Sequence, residues 1–342
     1  MTALEVRAAS GLCRVFVGEG LGGLGRHLPG GRTVLITDSN VDRLYGPVLP
    51  AGGRIVLVPG EGTKSLATVE SVYGRLLELG ADRSTFVLAV GGGVVCDVAG
   101  FAASTYLRGL AFGFAATTLL AQVDAGIGGK NGVDFRGYKN LVGVFQQPRF
   151  VVCDPDVLRT LPSREVSNGL AEMVKTAAVG SPGLFEALER EPDKALALER
   201  DFTLDAVRES LRVKASVVEA DEKEAGERRR LNFGHTFGHA LEAAAGLPHG
   251  EAVAAGMAFA ARLSVRKGFL AVRECDRVLS LLLRLGLPVA AGASAAAVVD
   301  AVRRDKKREG GSVRFVFLEA IGRPLVREIP LVELESAVHD LR

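Results

Sequence analysis

The sequence predicts an α/β protein with a doubly wound parallel sheet in its N-terminal half and a mostly helical second domain. Two patterns carry this. Short aliphatic runs alternate with segments of helical spacing over the first half, whereas from Asp154 almost everything as far as Arg303 reads with the helical period. Length agrees: 342 residues exceed the roughly 150 of one ordinary domain. The change of period places the domains at residues 1–158 and 159–342.

Leu4–Val17 reads as a strand pair outside the main rhythm. Strands are then expected at Thr33–Thr37, Arg54–Val58, Thr85–Val90 and Ala111–Ala115, with helices at Ser65–Leu79 and Val95–Leu107. The strands lack strict alternation, as expected of parallel strands covered on both faces. Pro155 and Pro162 punctuate a short connection. Beyond it, Thr203–Ala220, Glu251–Lys267 and Arg273–Leu285 carry aliphatic residues at spacings of three and four with Arg, Lys and Glu between. Val313–Leu318 and Leu325–Ile329 form an expected hairpin around Gly322, followed by a terminal helix.

Composition narrows the function. A formal net charge of +2 creates no field for a polyanion, so nucleic acid is not an expected partner. Four cysteines, Cys13, Cys96, Cys153 and Cys275, lie far apart without a Cys-x-x-Cys pair, which suits a reducing compartment. The first residues lack the succession of a signal peptide, and no apolar run reaches the ~18 residues of a membrane span. A cytoplasmic protein without a membrane partner is expected.

Glycine is abundant, 42 residues, and it clusters. Phe86–Val90 runs into Gly91, Gly92 and Gly93, then a helical segment; such a turn brings amides and a helix N-terminus to a phosphate, or is a tight turn without a ligand. The strict Gly-x-Gly-x-x-Gly fingerprint is missing, which disfavours an ordinary Rossmann dehydrogenase. A second cluster, Gly126, Gly128 and Gly129, lies beside Asp124, Lys130, Lys139 and Asn140. We read this stretch as a loop that makes a poor fold element and a good anion site.

His235, His239 and His249, three of the five histidines, fall within fifteen residues. His235 and His239 share one face of a helix, and imidazole is the commonest ligand for a divalent metal. A carboxylate often completes such a set, and Glu172 is the best choice; Lys175, three residues on, makes either a site pair with it or an ordinary surface ion pair. His-Glu-x-x-His is absent, so a zincin protease is not supported. Lys214, Arg228, Arg229, Arg230, Lys306 and Lys307 add cations suited to a small phosphorylated, carboxylated substrate.

Together these segments resemble the 3-dehydroquinate synthase family of sugar phosphate cyclases over nearly the whole length. The carriers are Pro59-Gly-Glu61-Gly-Thr-Lys64, Gly91-Gly-Gly-Val-Val-Cys-Asp97, Ala116-Thr117-Thr118, Ile127-Gly-Gly-Lys130, Lys139-Asn140, Ala171-Glu172-Met-Val-Lys175, Asn232-Phe-Gly-His235-Thr-Phe-Gly-His239, His249-Gly-Glu251 and Asp305-Lys306-Lys307. The resemblance implies an NAD-binding α/β domain and a helical metal-binding domain in a homodimeric lyase with NAD and a zinc or cobalt ion. Glu172, His235 and His249 would be the metal ligands. Asp38, Glu61, Lys64, Gly92, Gly93, Val94, Val95, Asp97, Thr117, Thr118, Lys130, Lys139 and Thr160 would contact NAD. Asp124, Lys130, Asn140, Lys175, Lys214, Arg228, Asn232, His239 and Lys306 would line the substrate pocket, with Arg108 reaching across the dimer to the phosphate.

The implied reaction converts 3-deoxy-D-arabino-heptulosonate 7-phosphate to 3-dehydroquinate and phosphate, a shikimate-pathway step of aromatic amino acid biosynthesis with no net redox change. It combines transient oxidation by NAD, phosphate elimination, reduction and aldol closure. Polyol dehydrogenases of the same superfamily need fewer cations than this chain carries. Sister cyclases that make valiolone or deoxyinosose rings are closer alternatives. Two departures from the family pattern are visible: Cys96 stands where Gly is usual, and Ala116 where Pro commonly precedes the threonines.

Overall fold

The computed structural model describes residues 2–50, 52–290, 292–306 and 311–341. The chain divides into two compact units, Met1–Leu161 with Lys214–Lys223, and Pro162–Val213 with Glu224–Arg342.

In the first unit the chain runs β1 (Thr2–Ala8), β2 (Gly11–Val17), β3 (Thr33–Asp38), α1 (Ser39–Tyr45), β4 (Gly53–Leu57), α2 (Leu66–Glu78), β5 (Phe86–Gly91), α3 (Gly93–Thr105), β6 (Phe112–Ala116), β7 (Lys130–Phe135), β8 (Tyr138–Phe145) and β9 (Phe150–Cys153). Seven strands form one sheet in the order β1-β2-β9-β6-β5-β3-β4. Only β1 and β2 pair antiparallel; every other neighbour in this sheet is parallel. All six residues of β5 are buried, which is why its sequence shows no alternation. After β4 the chain returns to the other side of β3, so the strand order reverses between β3 and β5. Asp38 and Gly91 therefore end neighbouring strands at the switch point where ligands of open α/β sheets bind.

Residues 130–145 correct the sequence reading. The expected loop is an antiparallel hairpin of β7 and β8 in a separate two-stranded sheet. Its turn is Arg136-Gly137, both with positive φ (49° and 81°), the geometry that matches strand twist in a two-residue hairpin. The glycines serve pairing here. Gly132 lies opposite Gly143, and a Cβ on Gly132 would stand 2.7 Å from the Val142 carbonyl oxygen. β9, four buried residues, was also missed, being too short to show a period.

In the second unit α4 (Ser163–Gly180), α5 (Pro182–Arg190), α6 (Pro192–Leu196), α7 (Arg200–Ala220), α8 (His235–Ala245), α9 (His249–Arg266), α10 (Val272–Arg284) and α11 (Ala295–Lys306) precede a hairpin of β10 (Ser312–Ala320) and β11 (Arg323–Pro330), and α12 (Leu331–Leu341) follows. α7 belongs to this unit only as far as Val213. The core centres on α9, where every residue from Ala252 to Ala261 is buried. Phe237 of α8 stacks on Phe259 of α9 at 4.1 Å between centroids.

Backbone contact sets how close α8 and α9 come. A Cβ on Gly238 would stand 3.0 Å from the Ala252 carbonyl oxygen, and one on Gly256 would overlap the Gly234 carbonyl oxygen and stand 2.9 Å from the Gly238 nitrogen. Gly234 itself has φ of 81°, a left-handed conformation that glycine adopts without steric cost. Gly256→Ala is therefore expected to destabilise the protein by about 1–3 kcal/mol in urea unfolding. Gly183→Ala, on α5 with open space around it, should be neutral or stabilising by up to about 1 kcal/mol. Equal midpoints for the two variants would contradict this account of the helix crossing.

Candidate functional site

In the first unit, the C-terminal ends of the strands gather the residues expected to meet a nucleotide. β5 ends at Gly91, and α3 starts at Gly93 with Gly92 as its N-cap and no side-chain cap. Gly92 has no side chain to cap the first amides of α3, those of Gly93, Val94 and Val95, and amides at a helix start left without a side-chain cap suit a phosphate. The glycines also answer to packing. A Cβ on Gly91 would stand 2.5 Å from the Val95 Cβ, and one on Gly92 2.8 Å from the Thr118 Cγ2. Thr117 is buried, while Thr118 Oγ1 accepts the Ala121 N–H at 3.2 Å.

Lys64 and Asp97 form an ion pair, Nζ to Oδ2 at 2.5 Å. Burial works against the Lys64 charge, but Asp97 and then Glu61 and Asp134 outweigh it and raise the ammonium above its ordinary value. Burial raises the Asp97 carboxyl despite Lys64 beside it. Glu61 opens the short 3-10 turn before Lys64 and is exposed. Asp38 caps α1, accepting from the Asn40 and Val41 N–H groups at 2.9 and 3.0 Å. Thr160 Oγ1 lies 2.9 Å from Tyr45 Oη.

Lys214, on the part of α7 that belongs to the first unit, donates to the Asp124 carbonyl oxygen at 2.5 Å and to the Asp124 carboxylate. Asp124 sits in a π-helical turn, Ala121–Ala125. Lys130, Lys139 and Asn140 are exposed on the β7–β8 hairpin. The Asn140 N–H donates to Asp134 Oδ1 at 2.8 Å, and its φ of 53° is one that Asn tolerates. Arg108 is exposed with φ of 70°, a conformation costing about 1–2 kcal/mol. It lines a cavity of about 280 Å³ with Ser10, Ser104 and Arg149.

The second unit brings Glu172, His235 and His249 together: one ligand atom from each lies within 4.8 Å of the others. Each comes from a different helix. Glu172 Oε1 is 3.2 Å from His249 Nε2 and 3.6 Å from His235 Nε2, and its Oε2 is 2.5 Å from Lys175 Nζ. The exposures of Glu172 and Lys175, 0% and 2%, rule out a surface ion pair. His235 Nδ1 lies 3.3 Å from the Phe233 carbonyl oxygen. A carboxylate and two imidazoles from three helices form a ligand set that suits zinc or cobalt.

Burial works against the Glu172 charge, but Lys175 and then His235 and His249 hold its carboxyl well below the usual range. Burial lowers His235 to about 3, with Lys175 adding to the effect and Glu172 opposing it. For His249 burial is outweighed by hydrogen bonds to Glu172 and Glu242, which raise it to about 10.

Around this group, His239 stands edge-on to His235 at 5.4 Å between ring centroids. Arg228 is buried in a 3-10 turn, Glu227–Asn232, where solvated basic residues are the commoner case. Asn232 Nδ2 donates to Glu224 Oε1 at 2.5 Å. Lys306 ends α11, and its side chain lies outside the described residues, as does Lys307. Sequence reasoning missed Glu242, whose Oε1 is 2.7 Å from His249 Nδ1. The signal was available: His235, His239 and Glu242 follow one helical face at spacings of four and three. It also missed Asn168, whose Oδ1 accepts the Gly250 N–H at 3.0 Å beside His249.

Comparisons with known proteins follow this division. The family described as 3-dehydroquinate synthase N-terminal matches residues 54–168, and that described as 3-dehydroquinate synthase C-terminal matches residues 169–308. A 3-dehydroquinate synthase of Halorhodospira halophila is 45% identical over 323 residues, 91% of each chain. Among solved structures, a 2-epi-5-epi-valiolone synthase from Streptomyces hygroscopicus with NAD+ and Zn2+ bound is similar with a TM-score of 0.89 and 31% identity, over 100% of this chain and 98% of that one. A 2-deoxy-scyllo-inosose synthase complexed with carbaglucose-6-phosphate, NAD+ and Co2+ gives 0.87 and 26%, over 100% of both.

Removing Lys175 leaves the Glu172 and Glu242 carboxylates to share the one protonated imidazole of His249, so one buried negative charge loses its partner, which costs about 3–5 kcal/mol. Lys175→Met is expected to lose stability of that order in chelator-treated protein and to recover much of it when zinc is added. Wild-type stability of the variant in chelator would show that Glu172 does not depend on Lys175.

Proposed function

The chain belongs to the 3-dehydroquinate synthase family, and from that premise we propose that it converts 3-deoxy-D-arabino-heptulosonate 7-phosphate to 3-dehydroquinate and phosphate. The observation that carries this reading is the set of a fully buried Glu172 with His235 and His249, and with Lys175 paired to Glu172, in a chain 45% identical to a 3-dehydroquinate synthase. Identity to the two sister cyclases is lower, 31% and 26%. A buried Arg228 beside the metal ligands in sequence suits a substrate with a carboxylate.

Glu172, His235 and His249 would hold a zinc or cobalt ion, and the turn at Gly92 and Gly93 with Lys64, Asp97, Asp38, Glu61, Thr117, Thr118, Lys139 and Thr160 would hold NAD. Once bound, the ion supplies Lewis acidity toward substrate hydroxyls and the nicotinamide takes up and returns a hydride. The chain's own residues bind and orient. Lys130, Asn140, Lys175, His239 and Arg108 hold the phosphate until it leaves as an anion, so they must be cationic or donate hydrogen bonds. Lys214, fixed by Asp124, joins Arg228, Asn232 and Lys306 in securing the carboxylate and hydroxyl groups. We read the protein as a cytoplasmic homodimer in which Arg108 serves the partner's phosphate.

Purified protein with NAD, zinc or cobalt and the heptulosonate phosphate is expected to release phosphate without net NADH, and a carboxylate-free heptulose phosphate should react far more slowly. Net NADH, no phosphate, or preference for the carboxylate-free sugar would overturn this reading. His249→Ala should lose both activity and metal while its circular dichroism stays that of the wild type. Full activity of that variant after chelation and zinc return would exclude His249 as a ligand.

A further inference from the structure

Two imidazoles of the metal group are anchored differently on their outer side. His235 Nδ1 faces a backbone carbonyl oxygen, that of Phe233, at 3.3 Å. His249 Nδ1 faces a carboxylate, Glu242 Oε1, at 2.7 Å. The second contact is the shorter, and Glu242 is itself buried, 8% exposed.

His249 needs such an anchor more than His235 does. It is the first residue of α9, following Pro248, and its side chain is 31% exposed against 13% for His235. With that share of its side chain facing solvent, packing alone holds the ring less firmly than it holds His235. A carboxylate at Nδ1 adds the hold that packing lacks. It also fixes the tautomer, since a neutral imidazole with its proton on Nδ1 leaves Nε2 as the lone-pair donor. Nε2 is the atom that lies 3.2 Å from Glu172 Oε1.

Glu242 reaches this position because α8 carries it on the same face as His235, two turns along, and because Gly238 and Gly256 let α8 and α9 touch through their backbones. Resting on the metal-site reading above, we propose that Glu242 is a positioning residue for the cation: it accepts the Nδ1 proton of His249 and holds the ring with Nε2 toward the ligand position shared with Glu172 and His235. A carboxylate in this place also makes the imidazole a stronger donor, and loss of such outer contacts commonly costs about 10–100-fold in metal affinity.

The test measures metal binding directly. Metal-free wild type, Glu242→Ala, Glu242→Gln and His249→Ala are titrated with Zn2+ against a chromogenic chelator, and with Co2+ while the visible spectrum is recorded. Glu242→Ala is expected to bind Zn2+ about 10–100-fold more weakly and to shift the cobalt bands. Glu242→Gln keeps an acceptor of the same reach without the charge, and about a tenfold loss is expected; it carries the test if the alanine variant does not fold. A merely structural Glu242 would lower the melting temperature of the metal-free protein and leave the affinity and cobalt spectrum of the folded variants at wild-type values. That result would overturn the proposal. Wild-type affinity in His249→Ala would instead remove the metal-site reading on which it rests.

Discussion

An ionised carboxylate cannot be buried alone, and the second unit is organised around one that is buried completely. Glu172 on α4 must meet positive charge or hydrogen-bond donors from whatever packs on it. Lys175 supplies one from the next turn of its own helix. His235 and His249 approach from α8 and α9, and they can do so only because those helices meet at glycines. Among the protein groups alone, the carboxylates of Glu172 and Glu242 face Lys175 and a His249 whose raised pKa keeps it protonated. A divalent cation bound by Glu172 and the two imidazoles fits the same negative charge, and the proton on His249 Nε2 would leave as it binds.

The first unit obeys a different constraint, the shape of a turn. Reversal of strand order between β3 and β5 opens the sheet where Asp38 and Gly91 end their strands, and the uncapped start of α3 lies at that opening. Asp38 spends its Oδ1 on capping α1, so its orientation is fixed by the backbone before any ligand arrives. Lys64 is set in a comparable way by Asp97. Two charged residues of the expected nucleotide site are thus held by the protein itself, in agreement with the general rule that a precise site sits on rigid elements.

Legibility in the sequence followed period and chemistry. The buried parallel strands and the long amphipathic helices announced themselves by apolar runs and 3.6-residue spacing, and the histidine cluster by residue type. The β7–β8 hairpin did not, because Gly126 to Gly143 contains glycines that serve pairing across the two strands as well as turns. Composition cannot separate these uses. Glu172 and Lys175 carried the right residue types, but no sequence pattern distinguishes a fully buried i, i+3 pair from a solvated one; burial comes from what packs on α4. Glu242 was hidden for the opposite reason. Its spacing from His235 and His239 put it on the face of the metal group, but that spacing alone does not tell which imidazole it meets, and the one it meets lies seven residues further on, on the next helix.

The two departures from the family pattern can be weighed against the same turn. Cys96 is fully buried on α3, with its Sγ 3.9 Å from the Gly91 carbonyl oxygen, so the side chain added at this position points into the packed unit and leaves the Gly92 and Gly93 backbone half-exposed. Ala116 keeps β6 paired on both sides, with Gly91 and with Cys153, and its carbonyl oxygen accepts the Gln122 amide at 3.0 Å. The strand end is held by pairing and by Gln122 rather than by a proline ring. What the turn does require is a missing Cβ at Gly91, whose space Val95 fills, and at Gly92, whose space Thr118 fills. Residues 91 and 92 therefore fix the shape of the turn, and position 96 tolerates a thiol because its constraint is volume within α3 packing rather than backbone conformation.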